Sequence, residues 1–244
     1  KSIYLKKIQK LKLKNYNINW LNDLSHLSNL PSIFIANEFF DALPIKQFIK
    51  KKDKWYEKII KYSKSHKPKF LDTLIDIKKF EKKIGFKISH RQKFIEYSPL
   101  STEYLKLISK IIKLNSGGLL IIDYGHTDEK MKNTLKSISK HKLSDVLENF
   151  SKSDISYDIN FKLIEKIVTK LGLKVNGITS QKNFLQELGI LERAEIISKN
   201  LPFSEKANIY FRVKRLIDEN SMGKLFKVMF VTRKNIQFRT GFKN

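Results

Sequence analysis

The chain has 244 residues, 41% of them hydrophobic, so it can bury the core of one large domain. It contains no cysteine, which excludes disulfide bonds, thiolate zinc sites and cysteine nucleophiles. Its five histidines lack the spacing of metal ligands, and we expect no metal. No apolar run approaches the about 18 residues of a membrane-spanning helix, and no signal peptide pattern opens the chain.

The charge is strongly positive: 49 basic against 24 acidic residues give a net charge of +25. Clustered basic residues would indicate nucleic-acid binding, because they replace counterions on phosphates. However, only six of the basic residues are arginine, and the lysines are spread along the whole chain together with many isoleucines and asparagines. We interpret this as compositional drift and expect no specific nucleic-acid partner, although acidic partners and anionic surfaces would be attracted.

The N-terminal residues predict a helix and then a strand. Residues 1–14 form a loosely amphipathic pattern of apolar residues among lysines, which is typical of a surface helix. Residues 17–20 predict a strand. Asp23 follows it, where an acid can cap the next short helix.

The most informative stretch is residues 33–44, Ile-Phe-Ile-Ala-Asn-Glu-Phe-Phe-Asp-Ala-Leu-Pro, in which an apolar run predicts a buried strand. In open α/β sheets, ligands bind beyond the carboxyl ends of the strands, where Asn37, Glu38 and Asp41 would lie. Carboxylates beside two phenylalanines are costly to bury unless a cation or a hydrogen-bond donor meets them. The alternative is that Glu38 and Asp41 only stabilise the N-terminus of the next helix.

A family resemblance favours the functional interpretation. Residues 37–48, Asn-Glu-Phe-Phe-Asp-Ala-Leu-Pro-Ile-Lys-Gln-Phe, resemble the signature of the MidA family of class I S-adenosylmethionine-dependent methyltransferases. That family includes a mitochondrial protein-arginine methyltransferase needed for respiratory complex I assembly. Ser2, Leu5 and Gln9 match the family's Ser-x-x-Leu-x-x-x-Gln. Because the family's ribose-binding acid and glycine-rich loop precede this serine, the resemblance implies an N-terminally truncated chain that lacks both.

The middle of the chain predicts an inserted lobe. Residues 47–52 and 55–62 alternate around a lysine-rich turn, which predicts a β-hairpin. Residues 64–97 show little periodicity, with one short strand expected at 85–90. The resemblance implies that this region is an insertion between the fourth and fifth core strands. Ser98, followed by a proline, then predicts the start of a helix.

Residues 117–126, Gly-Gly-Leu-Leu-Ile-Ile-Asp-Tyr-Gly-His, predict a buried parallel strand that ends at the ligand edge of the sheet. They match the family's fifth strand. Asp123 or Tyr124 can face the substrate there, and His126 can transfer protons near neutral pH. The alternative is a glycine-rich tight turn with a histidine of no special role.

A polar segment follows in which Asp154 and Asp158 match acidic positions of the family, while Asn160 replaces an aspartate of the family. It would form either a loop that closes over a bound peptide or a packed loop with helix caps. The remaining predicted elements are a helix at 161–171, a strand at 175–179, two helices around 192–195 and 207–216, and a last strand that ends at Thr232.

The predicted fold is α/β: a Rossmann-like class I methyltransferase sheet whose first strands are missing from this chain, with an inserted β-containing lobe. The boundaries we expect are 1–48 for part of the cofactor-binding half, 49–97 for the inserted lobe, and 98–244 for the remaining sheet and helices.

The function implied by the resemblance is methyl transfer from S-adenosylmethionine to an arginine of a protein substrate. Glu38 and Asp41 would grip the guanidinium and accept its proton. Asp123 and Tyr124 complete the expected catalytic set, and Asp23, at the family's adenine position, and Asn37 are the expected cofactor contacts. The fragment alone is expected to be inactive.

Two alternatives belong to other classes: a non-catalytic assembly or binding protein on the same fold, and a methyltransferase that acts on small molecules. The substrate that the resemblance implies is a subunit of respiratory complex I or its bacterial equivalent. The expected location is the bacterial cytoplasm, or the mitochondrion in a eukaryote, and a homodimer is possible.

Overall fold

The computed structural model describes residues 3–24, 27, 29–63, 65–139, 142–148 and 153–242, and the chain forms two compact units, Lys1–Leu30 and Pro31–Asn244. In chain order the elements are α1 (Ile3–Lys12), β1 (Ser32–Asn37), β2 (Lys46–Lys51), β3 (Lys54–Ser63), β4 (His66–Ile75), α2 (Ile77–Ile84), β5 (Phe94–Tyr97), α3 (Pro99–Asn115), β6 (Gly117–His126), β7 (Lys136–Ser139), β8 (Lys142–Ser144), β9 (Asp154–Ser156), β10 (Ile159–Asn160), α4 (Phe161–Lys170), β11 (Leu173–Ser180), α5 (Gln181–Glu187), α6 (Ile190–Ser198), α7 (Phe203–Ile217), α8 (Met222–Leu225) and β12 (Phe226–Arg233).

The first unit contains the predicted helix, α1, but not the predicted strand. Residues 17–20 are irregular, and the Trp20 side chain donates a hydrogen bond from Nε1 to Oε1 of Gln9 at 3.1 Å. A strand exists only when its backbone pairs with another strand, and the described part of this unit contains none. The strand prediction was therefore wrong. Ser2, which carried part of the resemblance, lies outside the described residues.

The main sheet of the second unit has the order β1-β6-β12-β11. β1 is parallel to β6, whereas β12 is antiparallel to both of its neighbours. The short β10 extends the carboxyl end of β6 by parallel pairing. These strands confirm the four that the sequence predicted in this unit's sheet, and the mixed α/β architecture confirms the predicted fold class.

Helix α3 covers this sheet and starts as predicted. The hydroxyl of Ser98 accepts a hydrogen bond from the backbone N–H of Ser101 at 3.1 Å, and Pro99 occupies the first turn. Leu105 and Ile112 of the helix are fully buried. Burying each such side chain contributes about 1.5–3 kcal/mol, so the helix and the sheet stabilise one another.

β1 is less buried than its sequence suggested. Ile33 is 62% exposed and Ile35 is 69% exposed, while Ala36 is buried. Within the described residues β1 pairs only with β6, so it lies at an edge of the sheet. Ile33 and Ile35 lie on the same face of the strand, and that face is exposed. The strand was predicted correctly, but its complete burial was not.

The predicted hairpin is present in the second sheet, whose order is β4-β3-β2-β5. Its turn residues Lys52 and Asp53 have φ values of 43° and 62°, which match the left-handed geometry of a tight hairpin turn. Phe48, Trp55 and Ile95 lie in its hydrophobic core.

The aperiodic stretch after this hairpin contains three elements that the sequence did not reveal, β4, α2 and β5. Asp76 caps α2 by accepting hydrogen bonds from the N–H groups of Lys78 and Lys79. Gly85 ends the helix with a φ of 77°, which is a common helix terminus. The short strand predicted at 85–90 was therefore wrong.

None of the helices in the described ranges combines the length and the apolar character that crossing a bilayer requires.

Candidate active site

The parallel pairing of β1 and β6 places the ends of both strands at one edge of the main sheet. Asn37 is opposite Ile122 in the register, so Glu38 and Asp123 emerge side by side. Tyr124 follows, opposite Phe226 at the start of β12.

Five of the six predicted site residues therefore meet at this edge: Asn37, Glu38, Asp41, Asp123 and Tyr124. The sixth, Asp23, is an exposed residue of the first unit, in irregular backbone. Its expected contact with the cofactor stays a prediction.

The fully buried Asp123 organises the loop after β1. Its Oδ2 accepts hydrogen bonds from the backbone N–H groups of Phe39 at 3.2 Å, Phe40 at 3.0 Å and Asp41 at 3.3 Å. Its Oδ1 accepts one from the N–H of Tyr124 at 2.9 Å. One carboxylate thus ties the end of β6 to three successive residues of the neighbouring loop.

Glu38 has a φ of 47°, a left-handed conformation that side chains other than glycine rarely adopt. Its N–H donates to the carbonyl oxygen of Ile122 at 3.0 Å, which extends the β1–β6 ladder by one step before the chain turns. The Glu38 side chain is exposed to solvent. Strained backbone of this kind is often retained where it aims a functional side chain.

Asp41 is only 7% exposed, and its buried Oδ1 has no hydrogen-bond partner among the described residues. Its backbone carbonyl accepts a hydrogen bond from the N–H of Tyr157 at 3.2 Å, which holds the residue in place. Burial raises the pKa of Asp41, the charge of Glu38 raises it further, and the charge of Lys136 partly opposes both. A buried carboxylate oxygen without a donor is costly, so this unsatisfied oxygen marks Asp41 as an unusual residue of the loop.

Asp123 and Asp41 also influence each other. Burial and the charge of Asp41 raise the pKa of Asp123 to about 7, against the opposing effect of its backbone hydrogen bonds. Two neighbouring carboxylates cannot both ionise easily, because each charge disfavours the other.

The aromatic ring of Tyr124 lies between an aromatic and a cationic side chain. Phe226 packs against it with ring centroids 4.0 Å apart, and Lys136 Nζ lies 4.9 Å from its centroid. Lys136 also forms an ion pair with Asp158, with Nζ and Oδ1 at 2.7 Å. Burial and the charges of Glu38 and Asp41 raise the pKa of the Tyr124 hydroxyl.

Sequence reasoning missed Lys136 because nothing distinguishes it locally from the many other lysines. Its position depends on β7 and on the pairing of Lys136 with Ser156 of β9. The only hint was Asp158, which matched an acidic position of the family and is the partner of this lysine.

His126 lies at the end of β6 in a different environment. Burial lowers its pKa, which favours the neutral imidazole, and its Nδ1 is 3.4 Å from Oδ2 of Asp128. Among the charged side chains, Asp128 raises this pKa most and Lys132 lowers it most. A role of His126 in proton transfer stays a prediction.

The polar segment before α4 packs as a capped loop. Asn160 Oδ1 accepts a hydrogen bond from the N–H of Leu163 at 2.9 Å, and its Nδ2 donates to the carbonyl oxygen of Asp128 at 3.1 Å. Asparagine therefore caps the helix where the family has aspartate. Asp154 is exposed in β9, so of the two matched acids only Asp158 adjoins the site.

In the described ranges, no cluster of three or more histidine, aspartate or glutamate side chains has a geometry that could hold a metal ion.

The sequence profile of a family of S-adenosyl-L-methionine-dependent methyltransferases matches residues 1–179. The chain belongs to this family. Its curated relatives include the mitochondrial protein arginine methyltransferase NDUFAF7 of Xenopus tropicalis, 27% identical over 230 residues, which cover 94% of this chain and 52% of the relative. The mitochondrial NDUFAF7 homolog of Caenorhabditis elegans is 30% identical over 179 residues, which cover 72% of this chain and 42% of the relative. The chain thus spans about half the length of these methyltransferases.

Two solved structures from Burkholderia thailandensis share the fold of this methyltransferase family member. A COG1565 superfamily protein superposes with a TM-score of 0.79 at 21% identity, covering 98% of this chain and 66% of that one. A COG1565 member described as a likely methyl transfer enzyme, bound to S-adenosyl-homocysteine, gives a TM-score of 0.76 at 21% identity and covers 100% of this chain and 63% of that one.

Proposed function

We propose that the full-length protein transfers a methyl group from S-adenosylmethionine to an arginine side chain of a protein substrate. The observation that carries this proposal is the pair Glu38 and Asp41: one exposed carboxylate, and beside it a buried one whose Oδ1 has no partner among the described residues. A guanidinium has five N–H donors in a planar fork and can satisfy both carboxylates at once.

The residues of this chain would do the work that arginine methylation requires. S-adenosylmethionine, when bound, supplies a methyl group already activated by its sulfonium. Glu38 and Asp41 would orient one guanidinium nitrogen and restrict its motion. Asp41 would accept the proton that this nitrogen loses, and its raised pKa makes it a stronger base than an ordinary aspartate.

Asp123 acts in this proposal as a positioning residue. It is fully buried, and its two oxygens are occupied by backbone N–H groups, so it holds the Glu38 loop and does not touch the substrate. Tyr124 offers the face of its ring to a cation at the same edge of the sheet.

Asn37 fits a role in holding the cofactor, because its exposed side chain stands at the carboxyl end of an edge strand. Ligands of open α/β sheets bind at such ends. Asp23 remains the proposed adenine contact on the strength of the family resemblance.

The NDUFAF7 relatives, which are protein arginine methyltransferases, also favour a protein arginine as the substrate. A subunit of respiratory complex I, or its bacterial equivalent, is the first substrate to test. The relatives are mitochondrial, and for a bacterial protein we propose the cytoplasm.

The test compares the full-length protein with Glu38→Gln and with a matched control, Glu187→Gln, which removes an exposed carboxylate on α5. Each is incubated with methyl-labelled S-adenosylmethionine and a lysate, and methylarginine is measured by mass spectrometry. Glu38→Gln should lower transfer by about 100-fold, as expected when the group that orients the reacting nitrogen is lost. Calorimetric binding of S-adenosylhomocysteine should stay unchanged.

Other results would contradict specific parts of the proposal. Unchanged transfer by Glu38→Gln would remove Glu38 from the mechanism. Label found only in small molecules would contradict a protein substrate. Binding of S-adenosylhomocysteine without any transfer would favour the non-catalytic alternative.

A further inference from the structure

Lys136 lies where a positively charged substrate group would be expected to bind. Its ammonium is 4.9 Å from the ring centroid of Tyr124 and 2.7 Å from Oδ1 of Asp158. Its charge also acts on Asp41, whose buried oxygen has no hydrogen-bond partner among the described residues. An aromatic face next to carboxylates is the environment that arginine guanidinium groups prefer.

The backbone around this ion pair is fixed, whereas the Lys136 side chain can move. The N–H of Asp158 donates to Oγ1 of Thr134 at 2.9 Å, and Lys136 is paired in register with Ser156. The side chains of Lys136 and Asp158 are 29% and 36% exposed. A partly exposed ion pair of a flexible lysine is weak enough to be exchanged for another cation.

We propose that Lys136 is a resident cation in a substrate subsite formed by the Tyr124 ring and the Asp158 carboxylate, and that an incoming guanidinium displaces it. This inference rests on the proposed function and adds a subsite and a basis for selectivity to it. Without substrate, Lys136 balances carboxylates that would otherwise lie together uncompensated.

The same lysine would favour arginine over lysine as substrate. A substrate lysine would replace one ammonium with another and gain nothing by the exchange. A guanidinium adds planar stacking on Tyr124 and a forked hydrogen bond to a carboxylate, so the exchange becomes favourable.

The kinetic test uses Lys136→Gln in the full-length protein. The control is Lys142→Gln, which removes the same charge from an exposed position on β8. The substrates are acetylated, amidated peptides Gly-Gly-Arg-Gly-Gly and Gly-Gly-Lys-Gly-Gly. Lys136→Gln should lower the KM for the arginine peptide by about threefold to tenfold, as expected for the loss of one partly exposed ion pair and one cation–π contact. It should also reduce the preference for arginine over lysine, while Lys142→Gln should change neither.

A second measurement does not depend on turnover. Limited acetylation with an amine-reactive ester, read by mass spectrometry, reports how accessible each lysine is. Saturating arginine peptide should increase the acetylation of Lys136 several-fold and leave Lys142 unchanged. Asp158→Asn should increase the acetylation of Lys136 even without peptide.

The outcomes separate this inference from the proposed function. If the wild-type protein methylates arginine but Lys136→Gln leaves KM unchanged or raises it, the resident-cation inference is wrong and the proposed function stands. If the wild-type protein methylates neither peptide, the acetylation experiment alone decides the subsite, and the lysate experiment decides the proposed function. Acetylation of Lys136 that stays constant or falls on adding arginine peptide would overturn the inference.

Discussion

Asp123→Asn tests whether one carboxylate holds the loop that carries Glu38. Asp123 accepts three backbone N–H groups on Oδ2 and one on Oδ1. The asparagine side chain keeps one oxygen and replaces the other with an NH2 group. If its oxygen faces the loop, the NH2 group points at the N–H of Tyr124, so one donor loses its acceptor and meets another donor.

The magnitude follows from these hydrogen bonds. Losing one hydrogen bond and leaving a buried N–H unsatisfied costs about 1–3 kcal/mol. We therefore expect Asp123→Asn to lower the free energy of unfolding by about 2 kcal/mol. Asp123→Ala leaves all four donors without this acceptor and should cost about 4 kcal/mol or more.

Two measurements check this expectation: urea unfolding gives the free energy, and amide hydrogen exchange gives the local effect. Exchange of the Phe39, Phe40 and Asp41 amides should accelerate in Asp123→Asn beyond the global change reported by Met229 in the core strand β12. Unfolding within about 0.5 kcal/mol of wild type, the usual range for surface changes, together with unchanged exchange of these three amides, would refute the anchoring role.

The same variant has a pH signature. Asp123 has a pKa of about 7 in the folded protein against an ordinary 3.8, so the folded state binds the proton more tightly. Its contribution to stability is complete below about pH 4 and is lost as the pH rises through about 7. The stability of wild type minus that of Asp123→Asn should thus fall with pH by up to about 1.4 kcal/mol per unit in this window. A flat difference would contradict the raised pKa.

Two further substitutions test the packing next to the site. Gly125→Ala would place a Cβ 2.4 Å from the carbonyl oxygen of Ile159 and 2.7 Å from the Phe161 ring. Thermal unfolding should therefore show a loss of about 1–3 kcal/mol in the free energy of unfolding. A melting temperature equal to that of wild type would contradict this packing. Asn160→Ala removes the acceptor for the Leu163 N–H at the start of α4 and should lower the free energy of unfolding by about 0.5–2 kcal/mol. Asn160→Asp keeps that acceptor and should lose less stability in urea unfolding. Equal losses in the two variants would mean that the helix cap is not the cause.

Sequence patterns predicted most, but not all, of the residues that meet at this edge of the sheet. Asn37, Glu38 and Asp123 were predictable because apolar runs of strand length end at each of them, and parallel strands end at one edge. The burial of Asp123 was not predictable, since its hydrogen-bond partners lie on a loop more than 80 residues away in sequence. Lys136 could not be predicted either, because its position at the site depends on which strands pair.

The errors in the fold have similar physical causes. Residues 17–20 have strand-like composition but no strand to pair with in the described part of their unit. Helix α2 is amphipathic, but its eight residues span only about two turns, which is too short for the helical period to stand out from the lysine-rich sequence around it. Ile33 and Ile35 are apolar enough for a core, yet the face of β1 that carries both side chains is left exposed.

The anchoring of the loop by Asp123 also restricts which sequences can build this site. The four hydrogen bonds use backbone N–H groups, so the side chains of Phe39 and Phe40 can vary without breaking them. Proline has no N–H, and at positions 39, 40, 41 or 124 it would remove a donor whatever else surrounds it. Proteins that keep this carboxylate and this loop should therefore exclude proline from all four positions, whatever their side chains do.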